Sequence, residues 1–214
     1  MLRTVIFDLD GVLIDSEPLM RAAFEASYRS VLGGGTPPIE AYLEHMGASF
    51  PHIMDSLGLP HSLWEPYKKY CQQHIDRIRL FPEALGLLEW VRAQKLTLTL
   101  LTGKDQLRTF QILDHFGLRP FFSVVVASDH LLHSKPHPEG ILRILELVDC
   151  QPAEAVMIGD AVNDIIASQR AGVAAIAVTW GIKPERLLTC CRPDHIVHDW
   201  DSLLQKLNQL YSQA

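Results

Sequence analysis

Short apolar runs alternate along this chain with longer stretches of helical period. Thr4–Phe7, Thr97–Leu101, Ser123–Ala127, Ala155–Ile158, Ala174–Val178 and His195–Val197 are each of strand length and almost continuously apolar. A strand covered on both faces, as in a parallel sheet, requires that pattern. Between them, Pro82–Ala93, Gln106–Phe116, Pro138–Leu147, Ile165–Ala171 and Leu203–Tyr211 repeat apolar residues at helical spacing. Gly117 and Gly172 stand where helices stop. The alternation predicts an α/β fold, a doubly wound parallel sheet forming a Rossmann-like core.

One interval breaks the rhythm. Between Ser16 and Leu80 no strand is expected, and Leu19–Leu32, Ile39–Met46, Phe50–Leu57 and Leu63–Ile78 read as helices around a turn at Gly33–Pro38. The block is too long for a simple crossover. It predicts an inserted all-helical cap domain over residues 16–80, entering and leaving the core at neighbouring points. Residues 1–15 and 81–214 then form the α/β core. Trp64, Tyr67 and Tyr70 fall at roughly helical spacing and are expected in the interior of the cap.

Composition narrows the function. Nineteen Lys plus Arg against 25 Asp plus Glu leave a net charge of −6. With a pI near 5.9 the chain has no broad basic face for nucleic acid. No apolar stretch is long enough to span a membrane. The run Val5-Ile6-Phe7 ends at Asp8 rather than extending into a signal peptide. A cytoplasmic monomer or homodimer is expected. Cys71, Cys150, Cys190 and Cys191 form no CxxC pair and are expected as ordinary thiols.

In open parallel sheets ligands bind beyond the carboxyl ends of the strands. There the chain places Asp8-Leu9-Asp10-Gly11, Thr102-Gly103-Lys104, Ser134-Lys135-Pro136, and Gly159-Asp160 with Asp164 four residues on. Asp8 and Asp10 are two apart and can point the same way from extended backbone. Their mutual repulsion calls for a compensating charge, and Mg²⁺, a hard ion that takes oxygen ligands, suits it. Asp8, Asp10 and Asp160 are the expected metal ligands. Asp164 is expected to hold metal-bound water or to orient Lys135. The Thr102 hydroxyl, the Gly103 and Lys104 amides and the Lys135 ammonium are candidates for phosphoryl oxygens. His130, His133, His137, His195 and His198 lack the spacing of a zinc site and are expected as loop histidines.

These motifs, in order and spanning nearly the whole chain, resemble those of the haloacid dehalogenase superfamily. Phe7-Asp8-Leu9-Asp10-Gly11-Val12-Leu13 is similar to its first motif, Leu101-Thr102-Gly103 to its second, Lys135-Pro136 to its third and Gly159–Asp164 to its fourth. The helical insert resembles the cap of the phosphoglycolate phosphatase and β-phosphoglucomutase branch. Gly35-Thr36-Pro37-Pro38 and Trp180-Gly181 look most like phosphatases associated with aminohydroxybenzoate biosynthesis.

The resemblance implies a Mg²⁺-dependent phosphomonoesterase acting on a small phosphorylated metabolite. Asp8 attacks phosphorus to form an aspartyl-phosphate, and Asp10 carries the proton, its pKa expected to be raised by burial among carboxylates. Thr102 and Lys135 hold the other phosphoryl oxygens. By resemblance alone, the cap turn at His45, Met46 and Gly47 contacts the leaving group. A phosphomutase using the same aspartates is the alternative. A phospho-acceptor receiver module also uses Asp, Thr and Lys around Mg²⁺, but its acceptor follows a later strand and it has no cap.

Overall fold

The structure, a computed structural model, describes residues 1–212. Its strands are β1 (Thr4–Phe7), β2 (Ile14–Asp15), β3 (Arg79–Leu80), β4 (Thr97–Leu101), β5 (Val124–Val126), β6 (Ala155–Gly159), β7 (Ala174–Val178) and β8 (His195–Val197). The helices are α1 (Glu17–Leu32), α2 (Ile39–Glu44), α3 (Phe50–Leu57), α4 (Trp64–Gln73), α5 (Ala84–Ala93), α6 (Gln106–His115), α7 (Glu139–Leu147), α8 (Val162–Ala171), α9 (Glu185–Cys190) and α10 (Trp200–Ser212). Six strands form one sheet in the order β5-β4-β1-β6-β7-β8. Every pairing in it is parallel, so the six apolar runs are the six strands of a Rossmann-like sheet.

Alternation along β1 shows why the sheet is covered on both faces. Val5 and Phe7 pack with Leu87, Leu88, Leu113 and Leu203, from α5, α6 and α10. Ile6, pointing the other way, packs with Ile141, Ile144 and Ala167 from α7 and α8. Each of the three β1 side chains is fully buried, which contributes about 1.5–3 kcal/mol apiece. The chain runs out from β1 to β4 on one side and β6 on the other, so β1 ends at the switch point where such sheets bind ligands.

The insert differs in detail from expectation. Two strands of two residues each, β2 and β3, pair antiparallel with Ile14 opposite Leu80 and Asp15 opposite Arg79. They join the helices α1–α4 to the sheet, and the expectation of no strand between Ser16 and Leu80 is corrected by β3 at Arg79–Leu80. Two residues are too few to show a period of two. The helix expected over Leu63–Ile78 is interrupted at His74, where the backbone leaves helical geometry (φ −129°) before a 3₁₀ turn at Ile75–Arg77. The short helix α9 was not foreseen. Tyr67 is buried, whereas Trp64 and Tyr70 are only partly so. All four cysteines are free thiols. Among the described residues no helix is long and apolar enough to cross a membrane.

Candidate active site

Asp8 leaves the end of β1 with its amide donating to the Ile158 carbonyl at 2.9 Å. The chain then coils once: the Gly11 amide donates to the Ile14 carbonyl, and Gly11 adopts φ +72°, a left-handed conformation natural to glycine. The turn also needs glycine for space, because a Cβ on Gly11 would run into the Asp160 carboxylate. Gly181, after β7, presses on the same carboxylate, and the adjacent Ile182 amide donates to Asp160 Oδ2 at 2.7 Å. Asp160 is thus clamped between two glycine backbones and one amide.

The structure brings Asp8, Asp160 and Asp164 together, each offering a carboxylate oxygen within 4.8 Å of the others. All three are buried. Lys135 reaches in from the loop before α7, its Nζ donating to Asp8 Oδ1 at 2.9 Å, Asp164 Oδ1 at 2.6 Å and the Leu101 carbonyl at 3.2 Å. Asp164 Oδ2 accepts from the Ala161 amide at 3.0 Å, which fixes the carboxylate from the first turn of α8. Burial, opposed by Lys135 and assisted by repulsion from Asp164 and Asp10, pushes the Asp8 carboxyl up to about 7. Burial and the charges of Asp8 and Asp164 also push Asp160 well above the usual carboxylate range. Three buried carboxylates with Lys135 shared between two of them are under-compensated. Hard oxygen donors so placed suit a divalent cation such as Mg²⁺.

Asp10 behaves differently from expectation. Its carboxylate accepts from the Ser16 hydroxyl and from the Lys104 ammonium. Burial pushes its pKa up, but Lys104, by charge and hydrogen bond, with help from Ser16 and Arg108, outweighs burial and the net pKa is lowered. The expected upward shift is therefore corrected. From the sequence only the Lys104 amide is expected in the site, and that amide donates to Thr102 Oγ1 at 3.2 Å. Nor do the 103–104 amides begin a helix. Asp105 caps α6, accepting from the Arg108 amide at 3.0 Å. Thr102 is buried beneath this turn, with its own amide on the Val126 carbonyl.

The turn at residues 45–48 rests on the loops at the strand ends. Gly103 lies so close to the Gly47 and Ala48 carbonyls that a Cβ would come within 2.9 and 2.6 Å of them. Asn163 Nδ2 donates to the Met46 carbonyl at 3.5 Å, and Lys183 Nζ, from the loop before α9, donates to the Leu43 carbonyl. Between the inserted helices and the sheet's strand ends lies a tight cavity of about 20 Å³, room for little more than one water. Asp8, Asp10, Gly103 and Lys104 line it from the sheet side, with Met46, Gly47 and Tyr67 among the residues of the insert. His45 is not among the lining residues. Arg108, on α6, also lines the cavity and was missed from the sequence. The signal was there: α6 buries Arg108, Thr109, Ile112 and Leu113, so a guanidinium sits on the apolar stripe of the helix. His133 and His137 approach Glu139 on the surface, and that carboxylate is already held by the amides of residues 132 and 133 at 2.9 Å.

Comparison with known proteins bears on the family. The family model described as haloacid dehalogenase-like hydrolase matches residues 5–178. A phosphoglycolate phosphatase of Chromobacterium violaceum is 34% identical, the match covering 84% of this chain and 86% of that one. A pyrophosphatase PpaX of Bacillus pumilus is 31% identical, covering 95% of each. A haloacid dehalogenase-like family hydrolase of known structure from Streptococcus pneumoniae superimposes with a TM-score of 0.84 at 25% identity, over 96% of this chain and 98% of that one. The sheet, the insert after its first strand and the residues at the strand ends thus carry a family assignment: the chain belongs to the haloacid dehalogenase-like hydrolases.

Proposed function

We propose that the protein is a Mg²⁺-dependent phosphatase that hydrolyses a small phosphorylated metabolite through an aspartyl-phosphate on Asp8. The observation that carries this reading is the convergence of Asp8, Asp160 and Asp164 with Lys135 at the carboxyl ends of the sheet. Residues 16–80 act as a cap over a core of residues 1–15 and 81–214. The relatives' names support a phosphatase and divide between pyrophosphate and phosphoglycolate. The absence of a long apolar helix among the described residues is compatible with a cytoplasmic setting.

A carboxylate oxygen of Asp8 forms a bond to phosphorus as the bond to the leaving oxygen breaks, and water then cleaves the acyl phosphate, returning Asp8 and releasing phosphate. Asp10, ionised beside Lys104, takes a proton from a bound phosphate monoanion, passes it to the departing oxygen and then takes one from the attacking water. Ser16 and Lys104 fix the Asp10 carboxylate for that exchange. Thr102 and Lys135 meet the remaining phosphoryl oxygens, and Asp164 positions Lys135. Asp8, the Asp10 carbonyl and Asp160 would hold Mg²⁺, which supplies positive charge between nucleophile and phosphoryl group.

Phosphate release across a panel of phosphate esters, with Mg²⁺ and with chelator, tests the reading. Turnover that needs Mg²⁺ and disappears in a folded Asp8→Asn variant is expected. Near-native turnover by that variant overturns the Asp8 assignment. Transfer of the phosphoryl group back to the sugar, without release to water, would instead identify the phosphomutase alternative.

A further inference from the structure

Arg108 occupies a position that structural stability alone does not explain. It is 6% exposed, and its guanidinium lies 4.6 Å from the Trp64 ring centroid and 5.4 Å from that of Tyr67. Only Nε is engaged by a carboxylate, donating to Asp105 Oδ2 at 2.5 Å. The other Asp105 oxygen accepts from the Arg108 amide. Asp105 is therefore used up by one N–H of the guanidinium and one of the backbone. Among the described residues no carboxylate or carbonyl holds either terminal nitrogen of Arg108, and the Cys71 thiol lies beside the guanidinium. Those nitrogens are not sealed off, since Ser168 Oγ is the one fully buried side-chain nitrogen or oxygen without a partner among the described residues, so a ligand can reach them. They belong to a side chain that lines the same cavity as Asp8 and Asp10.

The rest of the cavity indicates what could fill them. The other cation on its wall, Lys104, is committed to Asp10. The two phenols on the cap side bond to each other, Tyr42 donating to Tyr67 at 2.8 Å. The neighbouring wall is apolar, from Met20, Phe50 and Ile53. Arg108 is thus the cation free to meet a second group on the substrate. A flat guanidinium held against the Trp64 and Tyr67 rings presents two parallel N–H donors, the geometry that a carboxylate or a phosphoryl group accepts bidentately.

We propose that Arg108 is the specificity-determining residue of this enzyme and selects substrates whose leaving group carries a second anion, a carboxylate or a phosphoryl group, within a few atoms of the scissile phosphorus. This rests on the phosphatase reading above and names its substrate class. Nucleophile and proton carrier stay with Asp8 and Asp10, and Arg108 binds the part of the substrate that departs.

The test separates the two claims. With the full chain and Mg²⁺, kcat/KM is measured for 2-phosphoglycolate, pyrophosphate and ethyl phosphate, the last having an uncharged leaving group. Arg108→Gln is expected to lower kcat/KM for one or both anionic substrates by about 10- to 100-fold, the span of one charge-assisted contact. Ethyl phosphate should lose clearly less than the anionic substrates, its loss reporting only the charge that Arg108 lends to Asp10. Arg108→Lys, which keeps the charge and loses the fork, should fall between. In parallel, calorimetry follows binding of methylenebisphosphonate, which cannot be hydrolysed, and of methylphosphonate. Weaker binding of the bisphosphonate alone in the variants supports the proposal even if the wild-type chain releases no phosphate, an outcome that would refute only the phosphatase reading. Equal losses for all substrates, or bisphosphonate binding indifferent to Arg108, overturn it. If the Gln variant does not fold, the Lys variant decides by the same ratios.

Discussion

Replacing Lys135 by Met tests how the buried carboxylates are held. Lys135 is 2% exposed and donates to Asp8, Asp164 and the Leu101 carbonyl. The substitution keeps most of the apolar stem but removes one buried cation from between two buried carboxylates. Breaking a buried pair by removing one partner costs about 3–5 kcal/mol, because the remaining charge loses its compensation. For a chain of this size that is a fall in Tm of roughly 6–20 °C. The loss should be largest in chelator and smaller in millimolar Mg²⁺, since a divalent ion restores part of the missing charge. Urea unfolding with either additive, followed by circular dichroism, reads both numbers. A second variant, Lys135→Met with Asp164→Asn, removes one of the two orphaned charges. It should be destabilised by less than the sum of the single variants. Wild-type stability of Lys135→Met in chelator, or strict additivity in the double variant, would refute the account of Lys135 as the charge shared by Asp8 and Asp164.

Further predictions follow from other contacts. Asp105 caps α6, so Asp105→Ala should cost about 1–2 kcal/mol in denaturant unfolding. Burial pushes the Asp105 carboxyl up, but Arg108 and the helix amide outweigh it and hold the native pKa below 3.8. Its contribution to stability is therefore complete above that value and is lost as pH falls through the lower native one, a segment of the acid limb that should vanish in Asp105→Asn. Because a Cβ on Gly11 would strike Asp160, Gly11→Ala should raise the Mg²⁺ concentration for half-maximal activity by about tenfold or more, read by metal titration. Ser168 buries a hydroxyl with no partner among the described residues, so Ser168→Ala should gain about 1 kcal/mol by thermal melt.

What the chain determined by itself is the scaffold and the positions of its acidic groups. Six apolar runs are legible as strands because each is short and nearly continuously apolar, the pattern of a strand in a sheet covered on both faces, and needs no distant partner to declare its type. Asp8, Thr102 and Asp160 are legible because a polar residue directly after such a run, or one glycine beyond it, lands where the sheet ends, and Lys135 because it is a loop lysine before Pro136 past the third run. Tertiary structure decided the rest. Lys104 meets Asp10 across 94 positions in the chain, and the pair reverses the pKa shift that burial alone produces. The pair of β2 and β3 exists only because Ile14 and Leu80 meet, since neither two-residue strand has a period of its own. Arg108 becomes part of the cavity only once α4 brings Trp64 and Tyr67 over its guanidinium. Local pattern reports how each residue sits relative to its own helix or strand. Which charges face one another depends on how the helical insert closes over the sheet, and that is a property of the packed chain.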